Sequence, residues 1–186
     1  EVIDRHRMIS MTCGKMELRT VLRRRMEELQ RSYLDFSQRR NMCALREAPF
    51  TLNLFGTTSV GKSSLAKLLI NSILHFNGYS TDNKRTITLK ETDKFLSTYT
   101  ADVEAVIMDD VGNTNYNFVE RAPTDRLIEF CNNTPQYADK ADLSDKGKVA
   151  LRPKIVLVTT NDKTMGAHTY SNEPPSIMRR AHFTIT

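Results

Sequence analysis

Apolar residues recur at helical spacing in the first part of the chain. Between Met16 and Arg40, one series of apolar positions comprises Leu18, Leu22, Met26, Leu29, Tyr33 and Phe36. Steps of three and four residues put these side chains on one face of an α-helix, and arginines occupy the other face. Pro49 ends the helical region, because proline cannot continue a helix. The pattern predicts an N-terminal, basic, amphipathic helical arm over residues 1–48.

Beyond Pro49, short apolar runs alternate with helical patterns. The predicted strands cover residues 51–55, 85–89, 104–109, 154–160 and the alternating end of the chain, and the predicted helices cover 63–76, 123–132 and 174–180. A polar, charged loop is predicted at 134–148. Strands that alternate with helices are typical of a mostly parallel sheet flanked by helices. We therefore predict an α/β fold for a core domain over residues 49–186.

The net charge is distributed unevenly along the chain. The 186 residues carry a formal charge of +5, of which residues 1–48 hold +4 and residues 49–186 hold +1. A basic excess in one element indicates a polyanionic partner, either nucleic acid or an anionic membrane surface. A solvated helix face explains the same arginines without a partner, so both interpretations stay open.

Cysteine content and hydropathy exclude several classes of protein. Cys13, Cys43 and Cys131 are far apart, odd in number and form no CxxC pair. Neither a disulfide framework nor a four-ligand zinc site is therefore predicted, and we expect a reducing compartment. No run of residues approaches the roughly 18 apolar positions of a membrane-spanning helix, although attachment to a membrane surface stays compatible with the sequence.

The most specific motif follows the first predicted strand. Gly56-Thr57-Thr58-Ser59-Val60-Gly61-Lys62-Ser63 matches the phosphate-binding pattern GxxxxGK[ST] at every position. Glycines let successive backbone N–H groups face a phosphate, and the following helix presents its positive N-terminus. Lys62 is expected to reach the β- and γ-phosphates, and Ser63 to ligate Mg²⁺. The predicted nucleotide-binding residues are Gly56, Thr57, Thr58, Ser59, Val60, Gly61, Lys62, Ser63 and Ser64.

Two acids, Asp109 and Asp110, close the apolar run that begins at Ala105. Beside a phosphate loop, such a pair supplies the carboxylate site that Mg²⁺ also requires. We expect Asp109 to hold Mg²⁺, directly or through water, and Asp110 to polarise the attacking water. The alternative is that the two acids simply end a strand at the surface.

Two later features complete the candidate site. Asn161 follows the apolar run 155–160, at the strand end where ligands of α/β proteins bind, and is expected to hydrogen-bond the γ-phosphate or the nucleophilic water. Arg179 and Arg180 are candidates to stabilise the charge that develops during phosphoryl transfer. The alternatives are a turn-forming asparagine and two arginines that interact with a helix dipole.

A GTPase switch is the main competing interpretation. Asp109-Asp110-Val111-Gly112 satisfies the DxxG pattern of that class. The guanine-binding order Asn-Lys-x-Asp is not met, because residues 161–164 read Asn-Asp-Lys-Thr. A small-molecule kinase leaves the asparagine strand and the late arginines unexplained. A non-enzymatic scaffold that binds RNA or membrane and keeps a degenerate nucleotide site is the remaining alternative.

Taken in order, these motifs resemble the superfamily 3 helicases, and within them the picornavirus-type non-structural ATPase of positive-strand RNA viruses. Residues 56–63 are similar to motif A, 105–110 to motif B, 159–161 to motif C and 177–180 to the arginine-finger segment, and the resemblance covers about residues 46–186. The loop interior lacks the second glycine and the proline that are common in vertebrate-virus members, which indicates a divergent branch. We expect this chain to be part of a longer protein whose C-terminal region follows Thr186.

The resemblance implies an AAA+-like ATPase core that uses ATP and Mg²⁺ and works as a homo-oligomeric ring, with a hexamer expected. Arg179 and Arg180 would then act in trans on a neighbour's ATP, and hydrolysis would drive RNA unwinding or remodelling in viral genome replication. The implied partners are RNA, other viral replication proteins and, through segments outside this chain, a membrane surface. The implied location is the host cytoplasm, at membrane-associated replication sites.

The loop at 134–148 is expected to face the central channel of such a ring. Lys140, Lys146 and Lys148 would there contact RNA phosphates. An ordinary solvent-exposed loop is the alternative interpretation.

Overall fold

The chain divides into two compact units, Glu1–Ala44 and Leu45–Thr186. In this computed structural model the described residues are Met8, 16–43, 45–114, 121–142 and 146–186, so most of the first fifteen residues of the predicted arm, with Cys13, lie outside them. The first unit contains helix α1 (Met16–Cys43). Exposed ion pairs one turn apart, such as Arg23 with Glu27, contribute to it, each by about 0.3–0.5 kcal/mol.

Several apolar side chains of α1 are open to solvent. They are Leu18, Val21, Leu29, Tyr33 and Phe36, whereas Leu22 and Met26 are half-buried. Across the described parts of the chain, none of the helices combines the length and the apolar character that crossing a bilayer requires.

The second unit is built on a five-stranded parallel sheet. Its elements in chain order are β1 (Phe50–Phe55), α2 (Lys62–Phe76), a single 3₁₀ turn (Asn83–Arg85), β2 (Thr86–Lys90), β3 (Ala105–Asp109), α3 (Pro123–Cys131), β4 (Ile155–Thr160), α4 (Ala167–Tyr170), α5 (Pro174–Met178) and β5 (Phe183–Ile185). The strand order is β2-β3-β4-β1-β5, and every pairing is parallel. The carboxyl ends of the strands therefore lie at one edge of the sheet, and the amino ends lie at the other.

Helices cover both faces of this sheet, which confirms the predicted α/β fold class. On one face, Ile70 and Leu74 of α2 share a core with strand residues such as Leu157. On the other face, Phe130 of α3 shares a core with strand residues such as Val156. Leu157 and Val156 are neighbours in β4 and both are fully buried. A central parallel strand is apolar on both faces for this reason, and each large side chain contributes about 1.5–3 kcal/mol by burial.

A buried arginine joins the amino edge of the sheet to α3. The Arg46 side chain is 4% exposed, and its guanidinium donates hydrogen bonds to the backbone carbonyls of Leu151 (2.7 Å), Glu129 and Asn132. Two of these carbonyls lie at the end of α3, where a helix leaves its last acceptors without partners. Burial lowers the pKa of Arg46, and the three acceptors compensate for the lost hydration. Arg46 therefore fixes the residues that precede β1 to the end of α3.

The polar loop predicted at 134–148 is only partly exposed to solvent, and residues 143–145 of it lie outside the described residues. Lys140 is 8% exposed, and its ammonium donates to the backbone carbonyls of Ser97 (2.8 Å) and Tyr99. The expectation that Lys140 contacts RNA phosphates is therefore wrong, because the side chain is buried and its ammonium faces backbone carbonyls inside the protein. Tyr99 is itself buried, and burial raises the pKa of Tyr99 to about 12.

Candidate active site

The phosphate loop connects β1 to α2 at the carboxyl edge of the sheet. The Gly56 N–H donates to the carbonyl of Thr160 in β4 at 3.2 Å, so the loop leaves the sheet beside β4. Ser59 (φ 66°) and Gly61 (φ 84°) both have a left-handed backbone, and any side chain at position 61 would be strained. Gly61 is the N-cap of α2, which is 15 residues long. The loop thus presents the positive end of a helix, as an anion-binding site requires.

Lys62 connects this loop to the end of β4. Its ammonium donates to the carbonyls of Gly56 (2.8 Å) and Thr57 (2.9 Å) and to Oδ1 of Asn161 (2.6 Å). Asn161 directly follows β4, the strand beside β1. Two predicted site residues that are 99 positions apart in the sequence are therefore in direct contact. An ammonium with three rotatable donors can exchange a carbonyl oxygen for a phosphate oxygen.

Oxygen atoms of three side chains meet beside the loop. Oδ1 of Asp109 accepts hydrogen bonds from the hydroxyls of Thr159 (2.7 Å) and Ser63 (3.3 Å). Hydroxyl and carboxylate oxygens are the hard ligands that Mg²⁺ prefers, so Ser63 and Asp109 fit the metal-binding role predicted for them. Thr159 was part of motif C in the sequence without a role of its own, and here it orients the Asp109 carboxylate.

Asp110 begins a tight turn directly after β3. Its φ of 54° is left-handed, which is uncommon for a residue other than glycine. Its N–H donates to the hydroxyl of Thr159 at 3.0 Å, and its carbonyl accepts from the Asn113 N–H at 3.3 Å. The Asp110 side chain is exposed. The second acid of the pair is therefore accessible at the same edge as Lys62.

The segment after β4 is organised by Asp162. Its carboxylate accepts hydrogen bonds from the Thr164 N–H (3.0 Å), the Thr164 hydroxyl (2.6 Å) and the Gly166 N–H (2.9 Å). Burial by itself raises the pKa of Asp162, but these hydrogen bonds lower it by more, so the net pKa lies below its ordinary value. The turn leads into α4, a four-residue helix that the sequence pattern does not predict. The segment that does not match the guanine-binding motif therefore forms a turn.

Two glycines let the segments after β3 and β4 pack against each other. Gly112 (φ 79°) and Gly166 (φ 73°) both have a left-handed backbone. A Cβ on Gly112 would lie 3.0 Å from the Cα and the nitrogen of Gly166, closer than nine in ten real contacts of a Cβ, and these backbone atoms would have to shift. The hydroxyl of Tyr170 in α4 also donates to the carbonyl of Thr114. Asp110 and Asn161 are thus carried by segments that support each other.

Arg179 and Arg180 lie at the opposite edge of the sheet. They precede β5, which begins beside the start of β1, where the His182 N–H donates to the Thr51 carbonyl at 2.9 Å. Nη1 of Arg180 donates to Oδ1 of Asn132 at 2.9 Å, and Nε of Arg180 is buried without a hydrogen-bond partner among the described residues. Arg179 is exposed. The structure does not bring these arginines to the phosphate loop of their own chain.

At the carboxyl edge, Glu91 directly follows β2. The sequence motifs do not identify this residue. Its carboxylate accepts hydrogen bonds from the Gly112 N–H and the Thr114 hydroxyl. A cavity of about 480 Å³ lies beside Glu91, Asp109 and the start of α3, on the side of β3 that faces away from the phosphate loop. The polar side chain of Glu91 near the end of a predicted strand was the signal that could have identified it, because parallel strands end at the same edge of the sheet as the phosphate loop.

The parallel sheet, the phosphate loop between β1 and α2, and the acidic end of β3 together define a P-loop nucleoside-triphosphatase fold. The family model described as RNA helicase matches residues 52–162, which is more than half of the chain. The chain therefore belongs to the RNA helicase family, and the resemblance to the superfamily 3 helicases of picorna-like viruses is confirmed. The matched range contains motifs A to C, whereas Arg179 and Arg180 lie beyond it.

Among solved structures, the chain is similar to the S. cerevisiae Hsp104-ADP complex, with 12% sequence identity and a TM-score of 0.43. The match covers 98% of this chain and 28% of the Hsp104 chain. A search of curated proteins finds no match.

Proposed function

We propose that this chain is the ATP-hydrolysing motor of a viral RNA helicase or RNA-remodelling protein. The observation that carries the proposal is the connected set of side-chain contacts at the carboxyl edge of the sheet. Lys62 contacts Asn161, and Ser63 contacts Asp109. The three strand ends expected to bind a triphosphate, hold its metal and orient water are thus joined in one site. Membership of the RNA helicase family supports the same function.

The residues at this edge suit phosphoryl transfer, which depends on positioning and electrostatics. Lys62 and the N–H groups at the start of α2 bind the β- and γ-phosphates. Ser63 and Asp109 are the residues that would hold Mg²⁺, which neutralises phosphate charge when bound. The exposed Asp110 orients the attacking water and accepts its proton. Asn161 hydrogen-bonds the γ-phosphate or that water.

The position of the arginine pair suits a site that a second subunit completes. Arg179 and Arg180 lie at the edge opposite to the phosphate loop of their own chain. In a ring of copies that contact each other head to tail, two different surfaces of the chain meet, so this edge would face the nucleotide of a neighbour. An arginine in that position raises the rate of phosphoryl transfer by about 10³- to 10⁵-fold. The proposal therefore includes a homo-oligomeric ring, with a hexamer as its expected form.

RNA is the proposed substrate on which the motor acts. Lys146 and Lys148 are exposed, and the ammonium of Lys146 lies 3.8 Å from the carboxylate of Asp139, a solvent-exposed pair that costs little to break. Both side chains are available to contact phosphates, unlike Lys140. Other viral replication proteins and a membrane surface are further proposed partners, at replication sites in the host cytoplasm.

Hydrolysis of ATP and of GTP, measured over a range of protein concentrations with and without single-stranded RNA, tests the motor function. We expect ATP turnover per chain to rise with protein concentration and with RNA. Lys62→Ala and Asp110→Asn should each lower turnover by about 10²-fold or more. Lys163→Ala is the matched control, because Lys163 is an exposed lysine near the same edge. A strict preference for GTP, or full turnover in Lys62→Ala, would contradict the proposal.

The double variant Lys146→Ala with Lys148→Ala tests the RNA contact separately. We expect weaker RNA binding and a salt dependence that is lower by about one to two in the logarithmic slope, because two phosphate contacts are lost. Basal ATP hydrolysis should not change. Lys67→Ala, at an exposed lysine of α2, is the control for net charge. RNA affinity equal to that of the control would remove these lysines from the RNA site.

A further inference from the structure

A carboxylate that follows β2 holds the segment that carries Asp110. Glu91 directly follows β2, which pairs with β3 up to the last residue of each strand. Both oxygens of the half-buried Glu91 carboxylate are engaged, one by the Gly112 N–H and the other by the Thr114 hydroxyl. Glu91 therefore bridges the end of β2 to the turn at residues 110–114.

This turn depends on support from its surroundings. Asp110 (φ 54°) and Gly112 (φ 79°) both have a left-handed backbone, and a residue other than glycine persists in that conformation only where its neighbours fix it. Thr159 fixes the start of the turn from the β4 side, because its hydroxyl accepts the Asp110 N–H at 3.0 Å. Glu91 fixes the middle and the end of the turn from the β2 side.

We propose that Glu91 is a positioning residue for Asp110 and acts on it through the backbone of Gly112. Because both carboxylate oxygens are engaged, Glu91 serves as a fixed acceptor and not as a group that reacts with substrate. The two hydrogen bonds, from the Gly112 N–H and the Thr114 hydroxyl, fix the turn at two points. The inference rests on the proposed function, since Asp110 needs this placement only if the chain hydrolyses nucleotide.

Steady-state ATP hydrolysis by three variants tests this role. Glu91→Ala should lower kcat by about 10- to 100-fold, since a displacement of about 1 Å has a cost of this order. Its KM should stay within about twofold of the wild-type value, because the phosphate loop is untouched. Glu91→Gln should recover most of kcat, since its amide oxygen still accepts the Gly112 N–H. Asp93→Ala is the matched control and should leave kcat unchanged, because the hydrogen bond that the Asp93 carboxylate accepts from the Lys90 N–H (2.9 Å) is local and does not involve the turn at residues 110–114.

Hydrogen exchange of the peptide that covers residues 105–114 gives a second readout that does not depend on turnover. Glu91→Ala should speed exchange of the Gly112 amide, whereas Glu91→Gln and Asp93→Ala should not. If Glu91→Ala does not fold, Thr114→Val replaces it as a milder variant that removes one of the two hydrogen bonds. That variant should lower kcat by a few-fold and leave KM unchanged.

Three results would overturn the inference. One is a Glu91→Ala chain with wild-type kcat and wild-type exchange. Another is an equal loss in Glu91→Gln and Glu91→Ala, which would make the charge itself the requirement. The third is a raised KM with unchanged kcat. If the wild-type chain hydrolyses no nucleotide, the proposed function fails and this inference fails with it, whereas an active wild type with an unaffected Glu91→Ala chain overturns the inference alone.

Discussion

The two edges of the sheet place charged side chains in opposite environments. At the carboxyl edge, Asp110 is exposed and Lys62 is half-buried with side-chain and loop acceptors around it. At the amino edge, Arg46 is buried and Arg180 is half-buried against Asn132, which leaves Arg179 as the exposed member of the pair. Arg46 therefore indicates no ligand site, because this buried guanidinium is matched by acceptors of the protein. An accessible cation such as Arg179 can contact a ligand.

The parallel arrangement of the strands explains this difference. Each strand–helix unit brings a helix N-terminus, with its unpaired N–H groups, to the carboxyl edge of the sheet. The same units bring helix C-termini, with their unpaired carbonyls, to the amino edge. Arg46 donates to the carbonyls at the end of α3. The phosphate loop ends at the start of α2, where the N–H groups are directed at an expected anion site. One geometry thus makes one edge suitable for anions and the other suitable for buried guanidinium groups.

The exposed arginine of the amino edge carries the largest expected effect. Arg179→Ala should lower ATP turnover by about 10³-fold, because in the proposed ring it removes a charge that would stabilise phosphoryl transfer in a neighbouring subunit. Mixing Arg179→Ala chains with Lys62→Ala chains should restore part of the turnover, since some interfaces then combine an intact Lys62 with an intact Arg179. Turnover measured against the mixing ratio checks this prediction.

Two further chains make the mixing experiment specific. Arg152→Ala, at an exposed arginine elsewhere in the same unit, should behave like the wild type. Arg180→Ala in the same mixtures tests the second arginine, whose contact with Asn132 holds it back from the surface. If no mixing ratio recovers turnover, the two edges do not meet between subunits, and the ring is wrong.

The buried arginine of the amino edge should affect stability and not chemistry. Arg46→Ala leaves the carbonyls of Glu129, Asn132 and Leu151 without their donor, at about 1–3 kcal/mol for each group that stays unsatisfied. We expect the free energy of unfolding to fall by about 3 kcal/mol or more, measured by urea denaturation. Arg152→Ala should change it by less than about 0.5 kcal/mol. Equal unfolding curves for the two variants would show that the buried hydrogen bonds of Arg46 do not contribute to stability.

The contrast between a buried and an exposed cation can also be tested within one loop, at Lys140 and Lys146. Lys140→Ala should lower the free energy of unfolding by about 2 kcal/mol, because the carbonyls of Ser97 and Tyr99 lose their donor. RNA affinity should not change. Lys146→Ala should lower RNA affinity and leave the free energy of unfolding nearly unchanged, since its pair with Asp139 is exposed. A loss of RNA affinity in Lys140→Ala without loss of stability would contradict the buried position of this lysine.

The sequence predicts those parts of the molecule whose pattern is local. The strand ending at Asp109 and the helix starting at Lys62 are recognised because an apolar run or a helical stripe adjoins a motif. Helix α4 has four residues and therefore no periodicity to detect. Lys140 is predicted wrongly, because a lysine in a polar stretch gives no sign that it turns inward onto backbone carbonyls. Glu91 is missed for a related reason, since its partners become neighbours only when β2 pairs with β3.

Asp162 carries the smallest expected effect and a pH dependence of known sign. Asp162→Asn should lower the free energy of unfolding by about 1 kcal/mol near pH 7, because one carboxylate acceptor becomes an amide donor that faces the N–H groups of Thr164 and Gly166. The folded-state pKa of Asp162 lies below its ordinary value of 3.8. Its contribution is therefore fully present above that value and is lost as the pH falls through the lower, folded-state pKa.

Urea denaturation near pH 7 and again near pH 3 should show the difference between wild type and Asp162→Asn shrinking in acid. Asp102→Asn, at an exposed aspartate, is the control and should show little difference at either pH. A difference that grows in acid would mean that the folded state raises the Asp162 pKa and that the turn after β4 is held in another way. Since this turn presents Gly166 to Gly112, weakening it should also lower kcat by a few-fold, which links the smallest stability effect to the placement of Asp110.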